Sequence, residues 1–298
     1  MQYLYSFQII ENEDTKVHKK YFNDCFSSVN SLFIVFISLI IELQNKSKKQ
    51  LDISKRSISG INYKKYLSKN FSENLLINNF LNNPLIKDEI AKKNIVNWDL
   101  NFKLVDSIFN EIINSEIYEI YISNDKSSFE IDKQFVISIF SEIIIHNNDL
   151  YDFIEDTNIF WVDDFPLVNS LMIRSINNSK NTSLKWLSSL KLFSSISDEN
   201  FAKVLFESAI LNHKSNLTLI NKYLKNWDVE RIAKIDLVLL SLATSEIVNI
   251  DSIPIKVSLN EYIEIAKDYS SDKSSFFING VLDKICKELI KNKIITKE

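Results

Sequence analysis

Two glycines, Gly60 and Gly280, and three prolines, Pro84, Pro166 and Pro254, serve all 298 residues of this chain. Dinucleotide fingerprints, P-loops and methyltransferase-type loops each need several glycines, for tight turns and for close backbone approach to phosphate. None can be written here, which argues against a nucleotide-dependent enzyme. Nearly every long segment instead repeats its apolar residues at helical rather than alternating spacing, and the expected fold class is all-α.

Hydrophobic residues make up 45% and charged residues 25%, ordinary values for a soluble globular protein. Net charge is −4, so no global basic field exists to hold nucleic acid or an anionic membrane; a polyanion site has to be a local patch. Heavy use of Ile, Asn, Lys and Ser looks like AT-rich codon bias, so lysine-for-arginine choices carry little meaning. Cys25 and Cys286 fall in apolar helical patterns without metal or disulfide spacing and are expected as buried free thiols in a reducing cytosol. The N-terminus lacks the basic and small-residue signatures of a signal peptide. The longest apolar run, Leu32 to Ile41, is shorter than a membrane span and suits a buried core helix. A cytoplasmic protein is expected, without membrane, cofactor, metal or small-molecule substrate.

Three regions are anticipated: 1–131, helical with polar connectors; 132–190, a first helical repeat; and 191–298, a C-terminal helical domain. Residues 14–46 predict one long helix, 47–75 a polar, basic connector, 86–93 and 98–119 helices, and 121–131 a polar break. Shifting the chain by 66 residues matches 132–176 to 198–242 without gaps, placing Asp132 on Asp198, Phe140 on Phe206, Ile154 on Ile220 and Trp161 on Trp227. In both copies an Asp stands where an N-cap belongs, and a structural repeat is the preferred explanation. Further on, "NWDVERIAKIDLVLLSLATSEIVN" (226–249) predicts a helix ended before Pro254. "SLNE" predicts a capping box with Ser258 as N-cap and Glu261 at the third helical position.

The last helix holds "KSSFFINGVLDKI". At about 100° per residue Ile278, Val281, Leu282, Ile285 and Leu289 form a core stripe, while Phe276 and Gly280 project oppositely and Phe277 and Lys284 flank them. A glycine inside a helix costs about 1 kcal/mol relative to alanine. Either another helix crosses closely at Gly280 and buries the phenylalanines, or an unpaired base stacks on a ring while a backbone approaches the bare helix. His18, His146 and His213 are scattered and expected in solvated or cap positions. Asp163 and Asp164 read as residues flanking a helix, and no catalytic arrangement stands out. Asp236, on an otherwise apolar stretch, needs a partner: an intramolecular cation or a bound protein.

The motifs "WDVERIAKIDLVLLSLATSEI" and "IPIKVSLNEYIEIAKDYSSDKSSFFINGVLDKI" resemble the bacterial transcription antitermination factor NusB family, strongly over about 200–290. The opening "MQYLYSFQ" resembles the inner half of that family's first helix, while 12–195 resembles an enlarged variant. The resemblance implies a helical fold of two packed sub-bundles with an additional helical region, no catalysis, and residues 1–11 packed on the C-terminal bundle. It further implies a heterodimer with the small-subunit ribosomal protein NusE, binding boxA-type single-stranded RNA beside the transcription elongation complex and supporting ribosomal RNA transcription. Carried over by position, Gln2, Tyr5, Lys273, Ser274, Phe277 and Gly280 would meet RNA, and Glu230 and Asp236 the protein partner. The family's arginine-rich arm precedes the point where this chain starts, so RNA binding by the chain as given is expected to be weak, with either a start codon upstream or the partner supplying the charge. Lys273 stands where an acidic side chain is common. The alternatives are a helical adaptor in ribosome biogenesis that has lost RNA binding, or this fold joined to an RNA methyltransferase, against which the glycine poverty speaks.

Overall fold

The computed structural model describes residues 1, 4–5, 15–56, 69–93, 95–124, 128–180, 196–224, 232–271 and 273–297. Among them the elements are helical: α1 (Thr15–Arg56), α2 (Lys69–Ser72), α3 (Leu75–Asn82), α4 (Pro84–Lys93), α5 (Phe102–Ile113), α6 (Glu116–Ile122), α7 (Phe129–Glu142), a single 3-10 turn (Ile144–His146), α8 (Asn148–Thr157), α9 (Phe160–Asn177), α10 (Ile196–Leu211), α11 (His213–Tyr223), α12 (Lys234–Asn249), α13 (Ile255–Tyr269) and α14 (Ser274–Lys291). The chain parts into two compact units: residues 23–192, and a discontinuous unit made of 1–22 and 193–298. Thus 23–131 and 132–190, read separately in the sequence, share one unit.

In the 23–192 unit, α1 is apolar on every side over its middle. Leu32, Phe33, Val35, Phe36, Ile37, Leu39, Ile40 and Leu43 are all buried. A helix hydrophobic all round belongs at a core's centre. By length and composition this helix could cross a membrane, but its apolar window is mostly buried inside the protein. The sequence had suggested a span too short for that. The helix also continues to Arg56, through residues expected to be connector.

Around α1 the packing is aromatic: Phe36 meets Phe140 at 5.3 Å and Phe165 at 5.7 Å, and Tyr121 stacks on Phe135 at 3.8 Å. Trp161 donates its indole N–H to the Ser28 carbonyl at 3.1 Å. Segment 98–119 breaks at Ser115, whose hydroxyl accepts from the Tyr118 amide and opens α6.

Asp132 is not the N-cap of its own helix; Ser128 is, accepting from the Ile131 amide at 3.3 Å. The buried Asp132 carboxylate reaches a different helix, accepting from the Leu75 amide at 2.7 Å and from the Tyr121 hydroxyl at 2.6 Å. It therefore satisfies the first turn of α3 from 57 residues away, beside the local cap Asn74. Burial raises the Asp132 carboxyl above the usual carboxylate range, and desolvation and this neighbour raise the Tyr121 phenol. Cys25 is exposed, not buried, and His18 is buried, not solvated.

The second unit centres on α12, buried continuously from Val238 to Ile247. Leu4 shares its core with α12, α13 and α14. The five residues read as the core stripe of the last helix, Ile278, Val281, Leu282, Ile285 and Leu289, are all buried. Segment 226–249 is helical from Lys234, with Ala233 as N-cap, and Trp227 lies outside the described residues. The capping box is overturned. Helix α13 starts a turn earlier, at Ile255 behind Pro254, so Ser258 sits inside it, fully buried, with its hydroxyl unpartnered. Proline is suited to that earlier start because it lacks the amide that a helix's first turn leaves unpaired.

The 66-residue register has a structural echo inside the two units. Helix α8 ends at Thr157 and α11 at Tyr223, 66 apart; α7 begins at Phe129 and α10 at Ile196, 67 apart. Ile154 and Ile220, one register apart, are both fully buried. Asp198 falls within α10 rather than before it.

Candidate functional site

Ser270 and Ser271 follow the end of α13, Ser274 opens α14, and the N-terminus of α12 comes to the same point through Asp236. This carboxylate is 5% exposed. One oxygen accepts from the Ser270 hydroxyl at 2.6 Å and the other from the Ser274 hydroxyl at 2.9 Å. Ser274 has then spent its proton, so at 2.8 Å it accepts from the Ser271 hydroxyl. Asp236 lies in the first turn of α12, where the helix dipole favours negative charge. Within the chain the partner of this buried acid is therefore a pair of serine hydroxyls rather than the intramolecular cation that the sequence offered. The arrangement ties the start of α12 to the end of α13 and the start of α14.

Beside this clasp opens a groove of about 420 Å³, lined by Ile232, Asp236, Ser271, Lys273, Ser274, Phe276 and Phe277. Its two rings differ. Phe277 is 6% exposed and part of the core, whereas Phe276 is 80% exposed. The helical spacing placed Phe276 outward and Phe277 on the flank; Phe276 does project outward, while Phe277, which the resemblance would set against RNA, lies close enough to the Ile278–Val281 stripe to be drawn inward. Lys273 is exposed at the groove edge.

Gly280 is also exposed, and a Cβ placed there would meet nothing within 4 Å. Among the described residues no helix crosses at this glycine, so the close-crossing explanation fails. Tyr5, 39% exposed, is not among the groove's lining residues, and Gln2 and Glu230 lie outside the described residues. Ser270 and Ser271 went unassigned in the sequence, where "YSSDKSS" offers only a run of small polar residues. Among the described residues no group of three or more His, Cys, Asp or Glu could hold a metal ion.

The groove is thus a small open notch with one free aromatic face, one free ammonium and a wall held by a buried carboxylate. It can take a flat ring and an adjoining anion.

Comparison with known proteins bears on this part of the chain. The NusB family model matches residues 168–287. The transcription antitermination protein NusB of Listeria monocytogenes is 46% identical over 90 residues, which cover 30% of this chain and 70% of the relative. The chain belongs to the NusB family. The NusB protein of Natranaerobius thermophilus is 44% identical over 89 residues, 28% of this chain and 64% of that protein. That of Clostridium tetani is 51% identical over 70 residues, 24% of this chain and 46% of that protein. The match to these two thus spans less than two thirds of their length. The solved structure of T. maritima NusB is 30% identical, covers 38% of this chain and 78% of that one, and gives a TM-score of 0.30. The groove residues, from Ile232 to Phe277, lie inside the NusB match.

Proposed function

We propose that this chain is a cytoplasmic, non-catalytic transcription antitermination factor that binds boxA-type single-stranded RNA as a heterodimer with the small-subunit ribosomal protein NusE, within the transcription elongation complex. The observation that carries the reading is the open groove at the start of α14, with Phe276 free to stack and Lys273 beside it. Aromatic stacking and a neighbouring cation are the usual means of holding an unpaired base and its phosphate. Tyr5, Lys273, Ser274 and Gly280 contribute to the same RNA surface in this reading, with Gln2. Phe277 supports the groove floor more than it offers a face. Glu230 and the α12 terminus at Asp236 face NusE, the Asp236 clasp holding the shape of that surface.

The test is fluorescence anisotropy of a labelled boxA oligonucleotide with the heterodimer. Stacking is worth about 1–3 kcal/mol per base, so Phe276→Ala weakens binding roughly 5- to 150-fold while leaving thermal stability alone. Phe277→Ala is the poorer probe, since emptying a core phenylalanine site costs about 3–5 kcal/mol of stability. Unchanged affinity in Phe276→Ala overturns the assignment of that ring. A wild-type chain that pairs with NusE but shows no salt-dependent RNA shift supports the adaptor alternative instead.

A further inference from the structure

From the groove, the outward face of α14 runs on as a track of lysines. At about 100° per residue Lys273, Phe276, Gly280, Lys284, Lys287 and Lys291 fall within a stripe of about 80°, and every one is exposed. At 1.5 Å per residue the stripe is about 27 Å long. Among the described residues Lys284 and Lys291 have no ion-pair partner, and Lys287 pairs with Asp283 at 2.6 Å, the acid at the stripe's edge. This is a local basic surface on a chain of net charge −4. Mid-stripe, Gly280 leaves the backbone bare where a side chain would have met only open space. A residue costing about 1 kcal/mol of helix stability is thus kept where packing does not require it, between an exposed ring and the first of three lysines.

We propose that Lys284, Lys287 and Lys291 form a phosphate track that holds RNA flanking the boxA element as it leaves the groove, with Gly280 as the low point over which the strand passes. The inference rests on the RNA-binding reading above but concerns residues beyond the groove. Single-stranded RNA is favoured as occupant by charge complementarity and by continuity with the ring and ammonium of the groove.

The experiment compares two RNAs, boxA alone and boxA lengthened by several nucleotides on its 5′ or 3′ side. Each is titrated against the heterodimer carrying either the native chain or a Lys284→Gln/Lys287→Gln/Lys291→Gln variant, across a salt series. Each phosphate contact on a single strand contributes about 0.7 to the log–log salt slope. The triple variant is expected to lose about 2 in slope and roughly tenfold in low-salt affinity on one lengthened RNA. It should bind boxA alone as the native chain does, and a triple Lys→Arg variant should keep the slope. Equal behaviour of native and Gln chains on both lengthened RNAs overturns the track. So does an equal loss on boxA alone, which would mark a diffuse field. So does competition by an acidic peptide as effective as RNA, which would mark a protein surface. A native heterodimer that binds neither RNA overturns the groove reading itself, an outcome distinct from all of these.

Discussion

Replacing Asp236 by alanine removes a group that ties α12, α13 and α14 together at the groove. Two charge-assisted hydrogen bonds to buried or half-buried serine hydroxyls, at 2.6 and 2.9 Å, are lost together. Bonds to a charged group contribute about 1.5–3 kcal/mol each before relaxation, and the favourable placement at a helix N-terminus adds about 0.3–1 kcal/mol. Allowing the exposed side of the turn to recover some bonding with water, Asp236→Ala is expected to cost about 3 kcal/mol. With a urea dependence of about 2 kcal/mol per molar, the unfolding midpoint of the discontinuous unit falls by about 1.5 M. Asp236→Asn should cost about half as much, because one serine can donate to the amide oxygen while the other turns to accept from the amide nitrogen. Urea titration by far-UV circular dichroism gives the midpoint, and hydrogen exchange of the α12 and α14 amides localises the loss. A cost under 1 kcal/mol for the alanine variant, or protection lost elsewhere than these helices, would refute the clasp.

Three further outcomes are expected. Burial, with Asp163 adjacent, raises the Asp164 carboxyl from 3.8 to about 6; the favourable contribution of its protonated form is full below about pH 4 and lost as pH rises through 6. Asp164→Asn should therefore stabilise the chain at pH 7.5 by on the order of 1 kcal/mol, after discounting for the half-exposed position, and change nothing at pH 4; melting curves at the two pH values decide it. Ser258→Ala should leave stability level or raise it, since a buried unpartnered hydroxyl disappears, whereas a drop of about 1 kcal/mol would restore Ser258 as a cap. Gly280→Ala should raise stability by about 1 kcal/mol, because the added methyl meets open space and helix propensity improves; a lower melting temperature would mean that something crosses there after all.

The all-helical class and the core face of α14 were legible because they rest on periodicity, which survives in a single sequence. Helix starts were less so. Ser258 and Glu261 have the spacing of a capping box, yet Pro254 wins the boundary, and the apolar demand at position 258 draws the serine inward. Asp132 shows the same limit from the other side. It is a cap, as its residue type suggested, but for a helix 57 residues away, a choice that only tertiary packing makes. Of the site, Lys273, Ser274, Phe277 and Asp236 were marked in advance and line the groove. Spacing turned Phe276 outward beside Gly280, as found; it was the family resemblance that pointed to Phe277, one step nearer the core stripe and buried. Spacing did not reveal that two serines would neutralise the need of Asp236 for a cation.

The C-terminal unit is interrupted in the gene order of its parts: residues 1–22 belong with 193–298, and Leu4 lies in the core they share. On a ribosome adding about 5–20 residues per second, the opening segment emerges roughly 12–57 s before the helices that will cover it. The intervening unit can complete its own core meanwhile, so synthesis runs insert first and host last. A nascent chain stalled once residue 192 has left the ribosome would thus carry a finished insert and an uncovered leading segment.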